Sequence, residues 1–147
     1  MTQRLNMAQV APEGYRALLG LERYVQNNVD GTVLELVKLR ASIVNGCSFC
    51  VDMHSRDALA AGESSRRLFA VGAWREAPFF DERERAALAL TDEATRLGPD
   101  GVSDETWALV TKSWSEKEAA DLLLAIATIN AWNRIAIPSR QSPPVDA

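Results

Sequence analysis

The 147-residue sequence holds only two cysteines and one histidine, and all three fall in one short stretch, "NGCSFCVDMH", residues 45–54. Two cysteines make no disulfide scaffold, and a chain of this length buries enough apolar surface to fold without one. Basic excess is missing too. With a net charge of -4 the chain has no surplus of lysine and arginine to neutralise a phosphate backbone, which argues against nucleic-acid binding. Long apolar runs are absent: "MTQRLNMAQVAPEGYRALLG" lacks an apolar leader core, and the stretches elsewhere read as too short to span a bilayer. The expectation is a cytoplasmic protein with no membrane or nucleic-acid partner. Aromatics are 7% of residues, and strand signals, repeats and low-complexity segments are scarce.

What remains is helical, and the composition, 47% hydrophobic and 24% charged, is that of one globular domain. Leu18, Leu19, Leu21 and Val25 keep helical spacing from Glu13 to about Asn27, and "NNVDG" supplies a stop. Leu34, Val37, Ile43 and Val44 mark a second helix ending at Asn45-Gly46. A third begins at or just before Cys47, with Phe49, Met53 and Leu59 expected on its buried side and Gly62 as its stop. Asp81 to Glu84 and Ser115 to Glu118 have capping-box spacing, predicting helices near 81–97 and 115–137. Ser64 and Ser103 can cap shorter helices over 64–73 and 103–113. The reading is a single all-α domain of six or seven helices. Its last helix is apolar around much of its circumference, as burial on several sides, including against another subunit, requires. Residues 138–147, polar and proline-rich, read as a loose tail.

In one helix, residues advance by about 100° each, so Cys50 lies about 60° from Cys47 and His54 returns to within about 20° of Cys47. The three share a face, a geometry suited to thiol redox chemistry. An imidazole, a helix N-terminus and a CxxC partner each favour the thiolate, and a second thiol can condense with a sulfenic acid to a disulfide. Two other readings compete. Cys47, Cys50 and His54 offer three candidate zinc ligands, but no further Cys or His can complete a closed structural site, and no Asp or Glu stands out as a fourth ligand for a catalytic one. Two inert core thiols beside a histidine are the other reading.

The segment "LELVKLRASIVNGCSFCVDMHSRDALAAG", Leu34 to Gly62, resembles the AhpD-like alkylhydroperoxidases of the carboxymuconolactone decarboxylase superfamily. The pattern is Glu35, eleven residues, the Cys47–Cys50 CxxC, three residues, then His54. "WREAPFFDERERAALALTDEATRL" and "IATINAWNRIAI" resemble flanking family segments, so the likeness runs from about residue 15 to 137. It implies a hydroperoxide reductase in which Cys50 attacks the peroxide and passes through sulfenic acid. Cys47 would be the resolving thiol and proton donor, the pair forming a redox disulfide, with Glu35 and His54 as proton relay. It further implies a lipoyl-type or other dithiol protein as electron donor, with a peroxiredoxin as partner in some members, and a homo-trimer or homo-hexamer. No metal, haem or flavin cofactor is implied. The sequence departs from the best-known members at Phe49, where they carry a second histidine.

From spacing alone, Glu35 reads as a helix cap, because Thr32 and Glu35 have capping-box spacing; only the resemblance carries it to the site. Trp132, Asn133 and Arg134 read as core and helix-helix contact, and Asp52, Ser55 and Arg56 as a solvated face. Two other functions fit the same fold: a carboxymuconolactone-decarboxylase-like lactone enzyme, which has no use for a dithiol, and a non-enzymatic redox-sensing interaction protein.

Overall fold

The structure, a computed structural model, describes residues 1–145. Its elements in order are α1 (Met7–Val10), α2 (Pro12–Asn28), α3 (Gly31–Asn45), α4 (Ser48–Ala60), α5 (Ser65–Ala70) running into a 3-10 turn (Val71–Ala73), α6 (Glu82–Thr95), α7 (Asp104–Ser113) and α8 (Glu116–Ser139). No strand occurs among the described residues. The count exceeds the expected six or seven by α1, a single turn that Asn6 caps by accepting from Gln9 N–H.

Local chemistry sets most boundaries. Asp81 accepts from Glu84 N–H at 2.8 Å while the Glu84 carboxylate accepts from Asp81 N–H at 2.9 Å, and Ser115 and Glu118 close the same box on α8. Ser103 caps α7 through Thr106 N–H, but the Ser64 side chain makes no capping bond on α5. Gly46 ends α3 at φ 72°, a conformation that L side chains adopt at a cost. The expected cap at Thr32 is not formed. Asp30, one step before the helix, is the N-cap and accepts from Val33 N–H at 3.2 Å, leaving Glu35 free to act elsewhere.

Helix α3 is the centre of the fold, packing on α4, α6 and α8. Val33, Leu34 and Val37 join Val25 of α2, Leu90 of α6, Trp114, and Leu122 and Ile126 of α8 in one cluster. Leu36 and Leu39, a third of a turn round, meet Leu68, Val71, Trp74, Phe80 and Leu88 in a second. Each such large side chain contributes roughly 1.5–3 kcal/mol on full burial. A third, smaller cluster joins Ala41 to Ile129 and Ala136 of α8 around the two cysteines.

By length and composition α8 would suffice to cross a bilayer, which the apolar runs in the sequence did not lead one to expect. Half of that stretch is buried inside the fold, where it serves as a core helix against α2, α3 and α6. It also runs through Pro138 to Ser139, and Arg140 closes it in the left-handed region at φ 57°. Ser139 is buried and its carbonyl accepts from Arg4 N–H at 2.8 Å, so the first residues of the expected tail belong to the packed domain. Asp146 and Ala147, also part of that tail, lie outside the described residues.

One charge pair sits inside. Lys38, 1% exposed, donates to Glu22 of α2, whose other carboxylate oxygen accepts from Trp132 Nε1 at 3.1 Å. Removing one partner strands a buried charge, whereas replacing both by uncharged chains of similar shape removes the desolvation cost as well. Urea unfolding of Glu22→Ala is therefore expected to show a loss of about 3–5 kcal/mol, and of the double variant Glu22→Gln, Lys38→Met a change within about 1 kcal/mol. Equal losses in both variants would contradict this account of the pair.

Candidate functional site

The site begins where α3 ends. Gly46 reverses the chain and delivers Cys47 to the N-cap of α4, with extended backbone and its sulfur turned back over the first turn. Cys47 Sγ accepts from Cys50 N–H at 3.4 Å and lies 2.8 Å from Cys50 Sγ, both thiols being free and buried. The buried stripe of α4 is Cys50, His54 and Ala58, one turn apart each. Met53 and Leu59, expected on the buried side, are 36% and 47% exposed, and Phe49 is half-buried. The polar stripe took the interior because Glu35 of α3 waits there to receive it.

His54 Nδ1 lies 3.1 Å from Glu35 Oε2. A carboxylate only accepts, so Nδ1 carries the hydrogen, and in the neutral ring Nε2 is then a base with its lone pair unengaged. Nε2 is the one buried side-chain nitrogen or oxygen without a hydrogen-bond partner among the described residues. Glu35 also lines a surface cleft of about 320 Å³ with Thr32, Ala58, Glu63 and Arg67. The carboxylate end of the pair thus reaches solvent while the imidazole end stays inside, side-chain exposures being 21% and 6%.

The two thiols are unequal. Hydrogen bonding from Cys50 brings the Cys47 thiol down from an ordinary 9.0 to about 7, against the opposing effect of burial, with the Cys50 amide adding to it. The same sulfur contact holds the proton on Cys50 and pushes its thiol far up, and burial and the Cys47 charge push the same way. Smaller contributions from Asn133 lower both thiols, and Ser42 lowers Cys50. Of the two sulfurs, Cys47 is the one favoured as thiolate. For Cys50 to attack, its proton must first leave.

The four residues that the spacing and the resemblance single out form two pairs, Glu35 with His54 across α3 and α4 and Cys47 with Cys50 at the start of α4, with His54 one turn along α4 from Cys50. No group of three or more His, Cys, Asp or Glu able to hold a metal occurs among the described residues, His54 having turned to Glu35. Asn133, read from the sequence as helix-helix contact, is fully buried beside the dithiol, and Trp132 packs with Phe49 against the sulfur cluster. Two more residues went unnoticed, Lys38 and Ser42. Their signal was available: Glu35, Lys38 and Ser42 form an i, i+3, i+7 polar stripe between the apolar residues of that helix.

Among the described residues, eight helices with a CxxC pair at the N-terminus of α4 and a Glu-His pair joining α3 to α4 make an all-α domain with a dithiol in its core. The chain belongs to the carboxymuconolactone decarboxylase family, whose sequence profile matches residues 11–93, and it has the AhpD-like fold. It is 40% identical over 138 residues to the uncharacterised protein YdfG of Bacillus subtilis, covering 93% of this chain and 94% of that one. A crystal structure of ATU0492 from Agrobacterium tumefaciens superimposes with a TM-score of 0.95 at 39% identity, covering 98% of this chain and 99% of that one. That protein is described as one of unknown function and a candidate antioxidant defence protein AhpD. A variant of the debrominase Bmp8 in complex with 2,3,4-tribromopyrrole matches with a TM-score of 0.83 at 20% identity, covering 92% of this chain and 73% of that one, a likeness of fold alone.

The charge assignment has a direct readout. Cys47 is an acid whose pKa is lowered in the folded protein, so its thiolate is present above the midpoint and is lost as pH falls through it. Ultraviolet titration of the reduced protein should show one thiolate per chain appearing near pH 7. Alkylation one pH unit below that midpoint should be about tenfold slower than the plateau rate. Cys47→Ser should abolish the low step; a wild-type midpoint at the ordinary thiol value would contradict the assignment.

Proposed function

We propose that the protein is a thiol-dependent hydroperoxidase that cycles between a Cys47–Cys50 dithiol and disulfide. The observation that carries this reading is the sulfur pair 2.8 Å apart at a helix N-cap, one sulfur favoured as thiolate, with the Glu35–His54 pair on the same side. Lactone decarboxylation would leave that dithiol without a task.

In the proposed cycle, a hydroperoxide reaches the sulfurs past Phe49 and Trp132. The Cys50 proton passes to the relay of His54 Nε2 and Glu35, with Cys47 as its alternative holder, and the Cys50 thiolate attacks the distal peroxide oxygen. The O–O bond breaks, an S–O bond forms, and the departing alkoxide takes a proton to leave as alcohol. Cys47 then attacks the Cys50 sulfenic acid; the S–O bond breaks, the disulfide forms and water departs. A lipoyl-type or other dithiol protein reduces the disulfide by thiol-disulfide exchange and closes the cycle. A dithiol that must be re-reduced suits the reducing cytoplasm.

The half-covered apolar side of α2, Leu18, Leu19 and Leu21, and the exposed Leu123, Leu124 and Ile137 of α8 support assembly into a homo-trimer or homo-hexamer. Sedimentation should find three or six copies; a monomer would contradict that part of the proposal.

Steady-state reduction of an organic hydroperoxide with a small dithiol donor tests the rest. Cys50→Ser should lose turnover by at least about 10²-fold, and Glu35→Gln by about 10²-fold, the usual scale for a general acid-base group. Glu35→Gln should unfold within about 1 kcal/mol of wild type, because Asp30 rather than Glu35 caps its helix. Undiminished turnover in Cys50→Ser would overturn the mechanism, and full activity of Glu35→Gln would remove the relay.

A further inference from the structure

Beneath the dithiol lies a line of amides whose orientation can be read without ambiguity. Asn130 is the anchor: Arg134, which only donates, bonds Asn130 Oδ1 at 2.7 Å, and Asn130 Nδ2 donates to the Ile126 carbonyl, which only accepts, at 2.9 Å. The atom of Asn45 that meets Asn130 Oδ1 at 2.9 Å must therefore be its Nδ2. That same Nδ2 reaches a second carboxamide atom at 2.9 Å, which must be Asn133 Oδ1. So the other end of Asn133 is its NH₂ group. It donates to Ser42 Oγ at 3.1 Å, whose own hydrogen is committed to the Lys38 carbonyl at 2.7 Å.

Asn133 is 0% exposed and stands on α8 between Ile129 and Ala136, two buried residues of that helix packed on Cys47 and Cys50. A buried NH₂ group has a second hydrogen, and the two sulfurs pack against the same side of α8. We propose that the chain Asn130, Asn45, Asn133 is a positioning device that aims an N–H of Asn133 at the Cys47–Cys50 pair and stabilises its thiolate form. This rests on the dithiol being the working group of the protein.

The charged and titratable groups nearby do not take that role. Helix α4 packs on α3 and α8. On α3, Glu35 is bonded to His54 of α4 and Lys38 to Glu22; on α8, Arg134 is bonded to Asn130. None of them hydrogen-bonds a sulfur. The lowering of both thiols by Asn133 agrees with the geometry.

The test reads the reduced protein by thiolate absorbance against pH, independently of any peroxidase assay. Asn133→Leu keeps side-chain volume and deletes the donor, and the first thiolate should then appear about one pH unit higher, a roughly tenfold loss of thiolate below the midpoint. Asn45→Ala leaves the dithiol's neighbours in place but frees Asn133 to turn, and should raise the midpoint by less. If Asn133→Leu fails to fold, Asn45→Ala decides alone. An unchanged midpoint in the folded variants overturns the proposal even where peroxide turnover is normal. A shifted midpoint in a protein that turns over no peroxide upholds it and refutes only the peroxidase reading.

Discussion

Helix α3 is buried along nearly its whole length, yet it carries Glu35, Lys38 and Ser42 toward the interior, and a buried polar group without a partner costs about 1–3 kcal/mol or more. Each of these side chains is met by a group from another helix. Glu35 meets His54 of α4, Lys38 meets Glu22 of α2, and Ser42 accepts from Asn133 of α8. Because a mismatched register would strand these groups, the polar seam fixes how α2, α4 and α8 sit on α3. It also fixes what stands around the two sulfurs, so that stability and chemistry draw on the same contacts.

The asymmetry of the thiols follows from that placement. A cysteine at the N-cap accepts an amide hydrogen from the turn it caps, and the residue three positions on has its sulfur directly above. One proton shared between two close sulfurs lowers the first ionisation and raises the second. Burial alone would have raised both. What the surroundings add is direction: a base, His54 Nε2, on the protein side, and a carboxylate, Glu35, that opens to a cleft on the far side of the imidazole.

Much of this could be read along the chain. The boundaries at Asp81, Ser103, Ser115 and Gly46 follow from capping chemistry that acts over three or four residues, and periodicity does the rest. Cys50 and His54 share α4, so their common face was legible from spacing, whereas Cys47 stands at the N-cap with extended backbone and meets Cys50 by turning back over the first turn. Glu35 was not, since Thr32 offered the same local pattern and the choice of Asp30 as cap depends on how the preceding turn leaves α2. The inward side of α4 was misread for a related reason. Met53 and Leu59 look like core, and only the polar partners waiting on α3 turn Cys50, His54 and Ala58 inward. The amide line from Asn130 to Asn133 joins residues 85 and 88 positions away from Asn45, a separation that one sequence alone does not bridge.

Everything proposed for the site turns on whether this buried pair is an oxidisable dithiol or two packed thiols. The most direct measurement is a mass-spectrometric balance on the reduced protein after one equivalent of an organic hydroperoxide. The account predicts one alcohol released and one intramolecular Cys47–Cys50 disulfide formed per chain. Hydroperoxide left unconsumed, with both thiols still free, would contradict it.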